Sequence, residues 1–313
     1  MPTAEMVMAE ERLRKITAGA RDAIVSGNDT VAAGLPPEIA AAREFYAALG
    51  REFAPDPGTR IEAVTVGGVP CELVRAEESV EERSVVLLHG GGWLAGRAAE
   101  YRQLAGRLAK VTGARVIVPD YRLAPEDKFP AALEDICAVY RGLLDEGVNP
   151  AALAIGGSSA GSALSLAALV VTRGEGRPMP AAVYNISPAV DLTASSPSLN
   201  DPSHPDFIAP EVLRHVYKNY LGDHDPADPL ASPVFADLTG LPPLHVEVGG
   251  AERLVDDATL LVERARSCGV TATLEIVDGG IHAFPFAAPE SPEAAASIER
   301  IGHHIVTAFN GRS

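Results

Sequence analysis

Residues 152–170 read ALAIGGSSAGSALSLAALV. The first part is a short apolar run ending in two glycines, the length of a buried strand, and the second part carries small and apolar residues through about three helical turns. They join at Gly157-Ser158-Ser159-Ala160-Gly161, a G-x-S-x-G pentad. A serine at such a strand-to-helix elbow is held in a strained turn above the sheet, and its neighbours must be small because strand and helix crowd around it. The helix N-terminus behind Ser159 also points the positive end of its dipole at an oxyanion forming beside that residue. The pentad predicts Ser159 as a nucleophile on an α/β scaffold, whereas Ser158 sits off its centre.

Working outward, the same alternation recurs. SVVLLHGGG leads to a helical stretch near Tyr101 to Val111, ARVIVPDY to one from Ala131 to Leu144, LPPLHVEVGG to one from Asp256 to Cys268, and ATLEIVDG to a closing one from Pro292 to Phe309. AAVYNISPAVD supplies a further strand, and RIEAVTVGG with PCELVRA reads as an opening antiparallel pair. Strands alternating with helices predict an α/β fold: a mostly parallel central sheet with helices on both faces. Catalytic groups then belong at the carboxyl ends of the strands. Two helical stretches, Ala4 to Val25 and Pro36 to Phe53, precede the sheet. A Pro/Asp/Ser-rich segment holding PEVLRHVYKNYL is longer than a βα connection needs and reads as a lid or pocket wall. The expected division is an N-terminal helical cap segment over residues 1–59 and a catalytic domain over 60–313, with 193–222 as a cap insertion.

A net charge of −16 over 313 residues repels phosphate backbones and anionic lipid headgroups, which disfavours nucleic-acid and membrane partners. Cys71, Cys137 and Cys268 are odd in number, widely spaced and form no C-x-x-C pair, so neither a disulfide framework nor a zinc site is expected. The first residues, MPTAEMVMAEERLRK, are charged and lack the apolar core of a signal peptide, and no apolar run reaches membrane-spanning length. A cytoplasmic protein is the expectation.

The remaining chemistry follows from the nucleophile. His89-Gly90-Gly91-Gly92-Trp93 directly follows a predicted strand, and consecutive glycines let backbone N–H groups turn towards a tetrahedral oxyanion. Gly91 and Gly92 are the candidate donors, with the N–H of Ala160 as the third. The loop lacks the Gly-Lys-Ser/Thr of a phosphate-binding Walker motif, and no dinucleotide fingerprint fits it. His89 reads as a brace for the loop. Of eight histidines, only His282, just after ATLEIVDG, lies where the order nucleophile, acid, histidine puts the general base. That base needs a carboxylate to fix its tautomer and support its charge. Glu252, Asp256 and Asp257 follow LPPLHVEVGG, and each also suits the first turn of a helix. Asp278, just before His282, is a fallback.

HGGGW, DYRLAPE at Asp120 to Glu126, FPAAL, the G-x-S-A-G pentad, SP-x-x-DLT at Ser187 to Thr193 and IHAF together resemble the bacterial hormone-sensitive-lipase-like carboxylesterases. The likeness runs from about Arg60 to the C-terminus. It implies the α/β-hydrolase fold and a serine esterase acting on short- to medium-chain acyl esters through a Ser-His-Glu(Asp) triad, without metal or organic cofactor. Lactonase or amidase chemistry on the same triad, and a non-catalytic hydrolase-fold receptor, are the alternatives; such receptors tend to lose the histidine that this chain keeps. The family's D-P-L-x-D or E-x-L-x-D pattern falls on Glu252, Leu254 and Asp256, which favours Glu252 as the acid over Asp256. The resemblance also implies that the N-terminal helices and residues 193–222 cap the acyl pocket, and that a homodimer joins through the last strand's edge. Two residues depart from the family: Ser158 replaces an acidic residue and Ser162 a frequent glycine.

Overall fold

Alternate residues of each apolar run face opposite sides of one sheet, and two cores result. In β3 (Val80–Leu88) Val86 and Leu88 enter one core while Val85 and Leu87 enter the other; in β5 (Leu153–Ser158) Ile155 and Ala154 divide the same way. The structure, a computed structural model, describes Thr3, Val7, Met8, Glu11 and residues 35–287 and 290–311. Most of the expected helix from Ala4 to Val25 lies outside the described residues.

The sheet has eight strands in the order β1-β2-β4-β3-β5-β6-β7-β8. β1 (Arg60–Val66) and β2 (Val69–Arg75) form the antiparallel hairpin expected from the sequence, and β2 runs antiparallel to β4 (Ala114–Pro119). From β4 onward, β3, β5, β6 (Ala182–Ile186), β7 (Leu244–Gly249) and β8 (Ala272–Val277) pair in parallel. Parallel pairing needs crossovers, which the helices provide. α1 (Pro37–Glu52) precedes the sheet. α2 (Arg102–Thr112) and α8 (Pro292–Gly311) cover one face, where Leu104, Leu108, Ile298 and Ile305 are buried. α3 (Ala131–Asp145), α4 (Ala160–Gly174) and α7 (Val255–Ser267) cover the other with Leu133, Ile136, Leu164 and Leu261. Between β6 and β7 come the single turn α5 (Pro197–Asn200) and α6 (Pro210–Leu221), the helix expected within the long insertion. Among the described residues no helix is long and apolar enough to cross a membrane.

One polar network ties α8 to the sheet. The Glu247 carboxylate on β7, wholly buried, accepts two hydrogen bonds from Arg300 at 2.7 Å and one contact from His245 at 2.9 Å. Removing one partner of a buried pair strands the other charge, at a cost of about 3–5 kcal/mol in a dry interior. Because the Arg300 side chain is 35% exposed, solvent screening lowers the expected loss for Arg300→Met to about 2 kcal/mol. Urea denaturation of the two proteins measures it, and an unchanged midpoint would show that the network contributes nothing.

Candidate active site

Ser159 stands between β5 and α4 with φ 54° and ψ −118°, a conformation that a non-glycine residue adopts only when its surroundings impose it. They do so here: a Cβ on Gly161 would lie 2.2 Å from the Leu88 carbonyl oxygen, and one on Gly157 would lie 2.5 Å from the Gly161 backbone. The Ser159 N–H donates to the Ile186 carbonyl at 2.8 Å, which fixes the elbow against β6. Ser158 is fully buried, whereas Ser159 keeps 9% of its surface exposed.

The glycine loop lies beside it. Gly91 adopts φ 117°, where a Cβ would fall 2.1 Å from the Ala95 carbonyl, so the bend requires glycine. Its carbonyl accepts from the N–H groups of Leu94 and Ala95 at 3.1 and 3.0 Å, and the Gly90 N–H donates to the Tyr101 hydroxyl at 2.6 Å. Among the described residues no hydrogen bond engages the N–H groups of Gly91, Gly92 or Ala160. Free backbone donors in a loop beside the serine are what an oxyanion requires.

His282 lies in the loop after β8, its ring buried. Nδ1 is 2.9 Å from Glu252 Oε2. The other oxygen, Oε1, accepts from Ser187 Oγ at 2.9 Å and from the Gly249 N–H. Ser187 Oγ in turn accepts from the Ala283 N–H at 2.9 Å, so one hydroxyl braces both the carboxylate and the histidine loop. Burial pushes the His282 pKa down, but the hydrogen bond and charge of Glu252, joined by the charge of Asp206, outweigh it and hold the imidazole above its usual value. Burial raises the Glu252 carboxyl, an effect that His282 opposes.

The other acids have different occupations. Asp256 accepts from the Ser198 N–H at 2.8 Å and so fastens α5. Asp257, fully buried, accepts from the N–H groups of Val190 and Asp191 at 3.1 Å and from Ser196 Oγ. Desolvation pushes its carboxyl up to about 7. Asp278 is exposed in the turn after β8. His89 stacks on Tyr121 at 4.0 Å, contacts the Gly90 carbonyl through Nδ1 and is driven by burial to a pKa of about 4, so it stays neutral and holds the loop.

Ser159 and His282 open on one cleft with about 550 Å³ of empty space, its open mouth included. α1 contributes Phe45, Tyr46 and Leu49 to the walls, and the insertion contributes Phe207 and Ile208. These wall residues, Glu100 and Asp206 have no mark in the local sequence pattern, whereas Ser187 opens the SP-x-x-DLT run without any sign there of its role beside Glu252. Asp206 Oδ2 accepts from the Arg253 N–H at 3.0 Å, while its buried Oδ1 has no hydrogen-bond partner among the described residues. Asp206, Glu252 and His282 present ligand atoms within 4.8 Å of one another, a grouping that could take a divalent cation only by drawing Nδ1 away from Glu252.

Comparison with known proteins matches the α/β-hydrolase fold family over residues 85–286. An acetyl-hydrolase of Streptomyces hygroscopicus is 39% identical over 248 residues, covering 79% of this chain and 83% of that protein. An esterase of the bacterial hormone-sensitive lipase family superposes with a TM-score of 0.90 at 35% identity, covering 99% of both chains. The chain belongs to the hormone-sensitive-lipase-like carboxylesterases. The solved structure of EstE5 soaked with p-nitrophenyl butyrate is similar as well, at 35% identity, a TM-score of 0.87 and coverage of 98% and 99%.

In this esterase the shared motifs have visible physical duties. Trp93 of HGGGW stacks on Tyr220 of α6 at 4.4 Å, and Tyr121 of DYRLAPE donates to the His89 carbonyl at 2.7 Å. Arg43 of α1 donates to the Leu94 carbonyl at 2.8 Å and pairs with Glu126, which pins that helix beside the cleft. The charge of Asp206 predicts a pH effect. A negative charge near the imidazole stabilises its protonated form, so the Asp206→Asn esterase should show the acid limb of kcat/KM displaced downward, by about one unit or less. A rate–pH profile checks this, and a limb that stays put or moves upward would deny the influence of Asp206.

Proposed function

We propose that the esterase hydrolyses short- to medium-chain acyl esters through Ser159, His282 and Glu252. Ser159 Oγ attacks the ester carbonyl while His282 Nε2 takes its proton; Glu252 holds the Nδ1 proton and supports the imidazolium. The N–H groups of Gly91, Gly92 and Ala160 receive the oxyanion. The alcohol departs with the proton from His282, and water activated by the same histidine then releases the acid from the acyl-enzyme. No cofactor enters this sequence. The observation that carries the reading is the 2.9 Å contact of His282 Nδ1 with the buried Glu252 carboxylate, in a histidine that shares its cleft with Ser159. The acetyl-hydrolase relative and the p-nitrophenyl butyrate soak of EstE5 support short acyl groups. Residues 37–52 and the insertion over 193–222 act as the cap, supplying the apolar walls.

A serine-directed fluorophosphonate, followed by peptide mass spectrometry, tests this. One adduct per chain on Ser159 is expected; no adduct would favour a binding receptor. We also propose a homodimer through β8, which among the described strands pairs only with β7 and presents Ile276 at 49% exposure. Light scattering at micromolar concentration should give twice the chain mass, and a monomer would remove the proposal.

A further inference from the structure

The wall of the cleft contains a carboxyl group that the reaction does not use. Glu100 lies on the 3-10 turn Ala98–Tyr101, directly before α2, and lines the space that Ser159 and His282 share. Its Oε2 is buried and has no hydrogen-bond partner among the described residues, although the carboxyl group feels a backbone hydrogen bond at Arg97 and the charges of Arg97 and Arg51. The rest of the wall near it is largely aromatic or aliphatic: Phe45, Tyr46, Leu49, Phe286 and, from the cap, Phe207 and Ile208. The Tyr101 hydroxyl accepts from the Gly90 N–H, and no hydrogen bond joins it to Glu100 among the described residues.

A buried carboxyl oxygen without a donor is costly, and a substrate pocket is a place where the occupant can supply the missing partner. We propose that Glu100 forms a polar subsite for a hydroxyl group on the substrate, so that the preferred ester is a hydroxylated one rather than a plain alkyl ester. Desolvation, the largest influence on Glu100, pushes its carboxyl up to about 7. A hydroxyl suits both forms of such a group: it donates to the carboxylate and accepts from the acid. A cationic substituent would be matched only by the ionised form. The apolar residues around the subsite accept the carbon skeleton, while the single polar oxygen sets the position of the hydroxyl.

The inference rests on the acyl-transfer reading given above, and the two fail in different ways. Hydroxyl groups can enter on either side of the ester bond, so two matched pairs are needed. Ethyl 3-hydroxybutyrate against ethyl butyrate probes the acyl side; 2-hydroxyethyl butyrate against ethyl butyrate probes the alcohol side. Hydrolysis is followed by pH-stat near pH 8, and the readout is the ratio of kcat/KM within each pair. The wild-type enzyme should favour the hydroxylated member of one pair by about tenfold or more, the size of a hydrogen bond to a charged group. Glu100→Leu should bring that ratio to one or below.

Glu100→Gln keeps the shape and an acceptor oxygen but loses the charge, so it should reduce the ratio several-fold. If Glu100→Leu fails to fold, as judged by thermal melting, the ratio in Glu100→Gln decides alone. Equal efficiencies in the wild type on both pairs would overturn the subsite, as would a wild-type ratio in Glu100→Leu or an unchanged one in a lone Glu100→Gln. An oxygen that merely holds a water would give those results. Failure of the acyl-transfer reading looks different: no member of either pair is hydrolysed and Ser159 takes no fluorophosphonate.

Discussion

The Ser159→Ala variant is expected to lose about 10⁶ of the turnover on p-nitrophenyl acetate or butyrate, with an unchanged melting temperature. The loss is large because nucleophile and base act as a unit: without Oγ, His282 has no proton to take and no acyl-enzyme can form. The residual rate is that of the oxyanion donors and binding alone. Stability should hold or rise slightly, since alanine is smaller and the elbow is fixed by Gly157, Gly161 and the bond to Ile186 rather than by the hydroxyl. Retention of a tenth of the activity would remove Ser159 from its role. Ser158→Ala is the control; Ser158 is fully buried and its loss should leave turnover within a few-fold of wild type.

The second large effect separates the three acids after β7. Glu252→Gln preserves side-chain size but removes the charge facing His282 Nδ1, so turnover should fall by about 10³–10⁴. Asp256→Asn and Asp257→Asn should fall far less, because those carboxylates fasten backbone amides of the cap and of the loop after β6. Asp257 adds a stability signature. Its folded-state pKa of about 7 lies above the ordinary aspartate value, so its ionisation weakens the fold as pH climbs from about 4 towards 7. An asparagine oxygen still accepts from Val190 and Asp191 and carries no charge. Asp257→Asn should therefore gain in melting temperature relative to wild type as pH rises between about 4 and 7, and the gain should level off above that. Turnover and melting curves for all three variants check the assignment, and equal small losses of turnover in all three would place the orienting acid elsewhere.

Local rules made much of this protein readable. The period-2 runs, the helical stretches between them and the crowding at Gly157-Ser158-Ser159-Ala160-Gly161 are constraints that act within ten or fifteen residues. They sufficed to order the strands and helices, to single out Ser159, and to put His282 after the last strand. The hairpin of β1 and β2 and the helix from Pro210 to Leu221 formed within a residue or so of where the pattern placed them.

The choice among Glu252, Asp256 and Asp257 could not be made in that way. All three sit near the start of one helix and each is a suitable first-turn acid, so propensity treats them alike. What distinguishes them is the closing of the sheet, which brings the loops after β7 and β8 together across 30 residues and puts only Glu252 against His282. Glu100 reaches the cleft from a 3-10 turn, while Ser187 and Asp206 come to the Glu252–His282 pair from a strand end and the cap segment, all far apart in the chain. Sequence alone determined the elbow and marked Ser159 as the candidate nucleophile within it, because these are local backbone requirements. The resemblance favoured Glu252 among the acids, but only the tertiary structure sets its carboxylate against His282 and brings Asp206 and Glu100 near, because a contact between loops depends on how strands align and leaves no periodic trace in either loop.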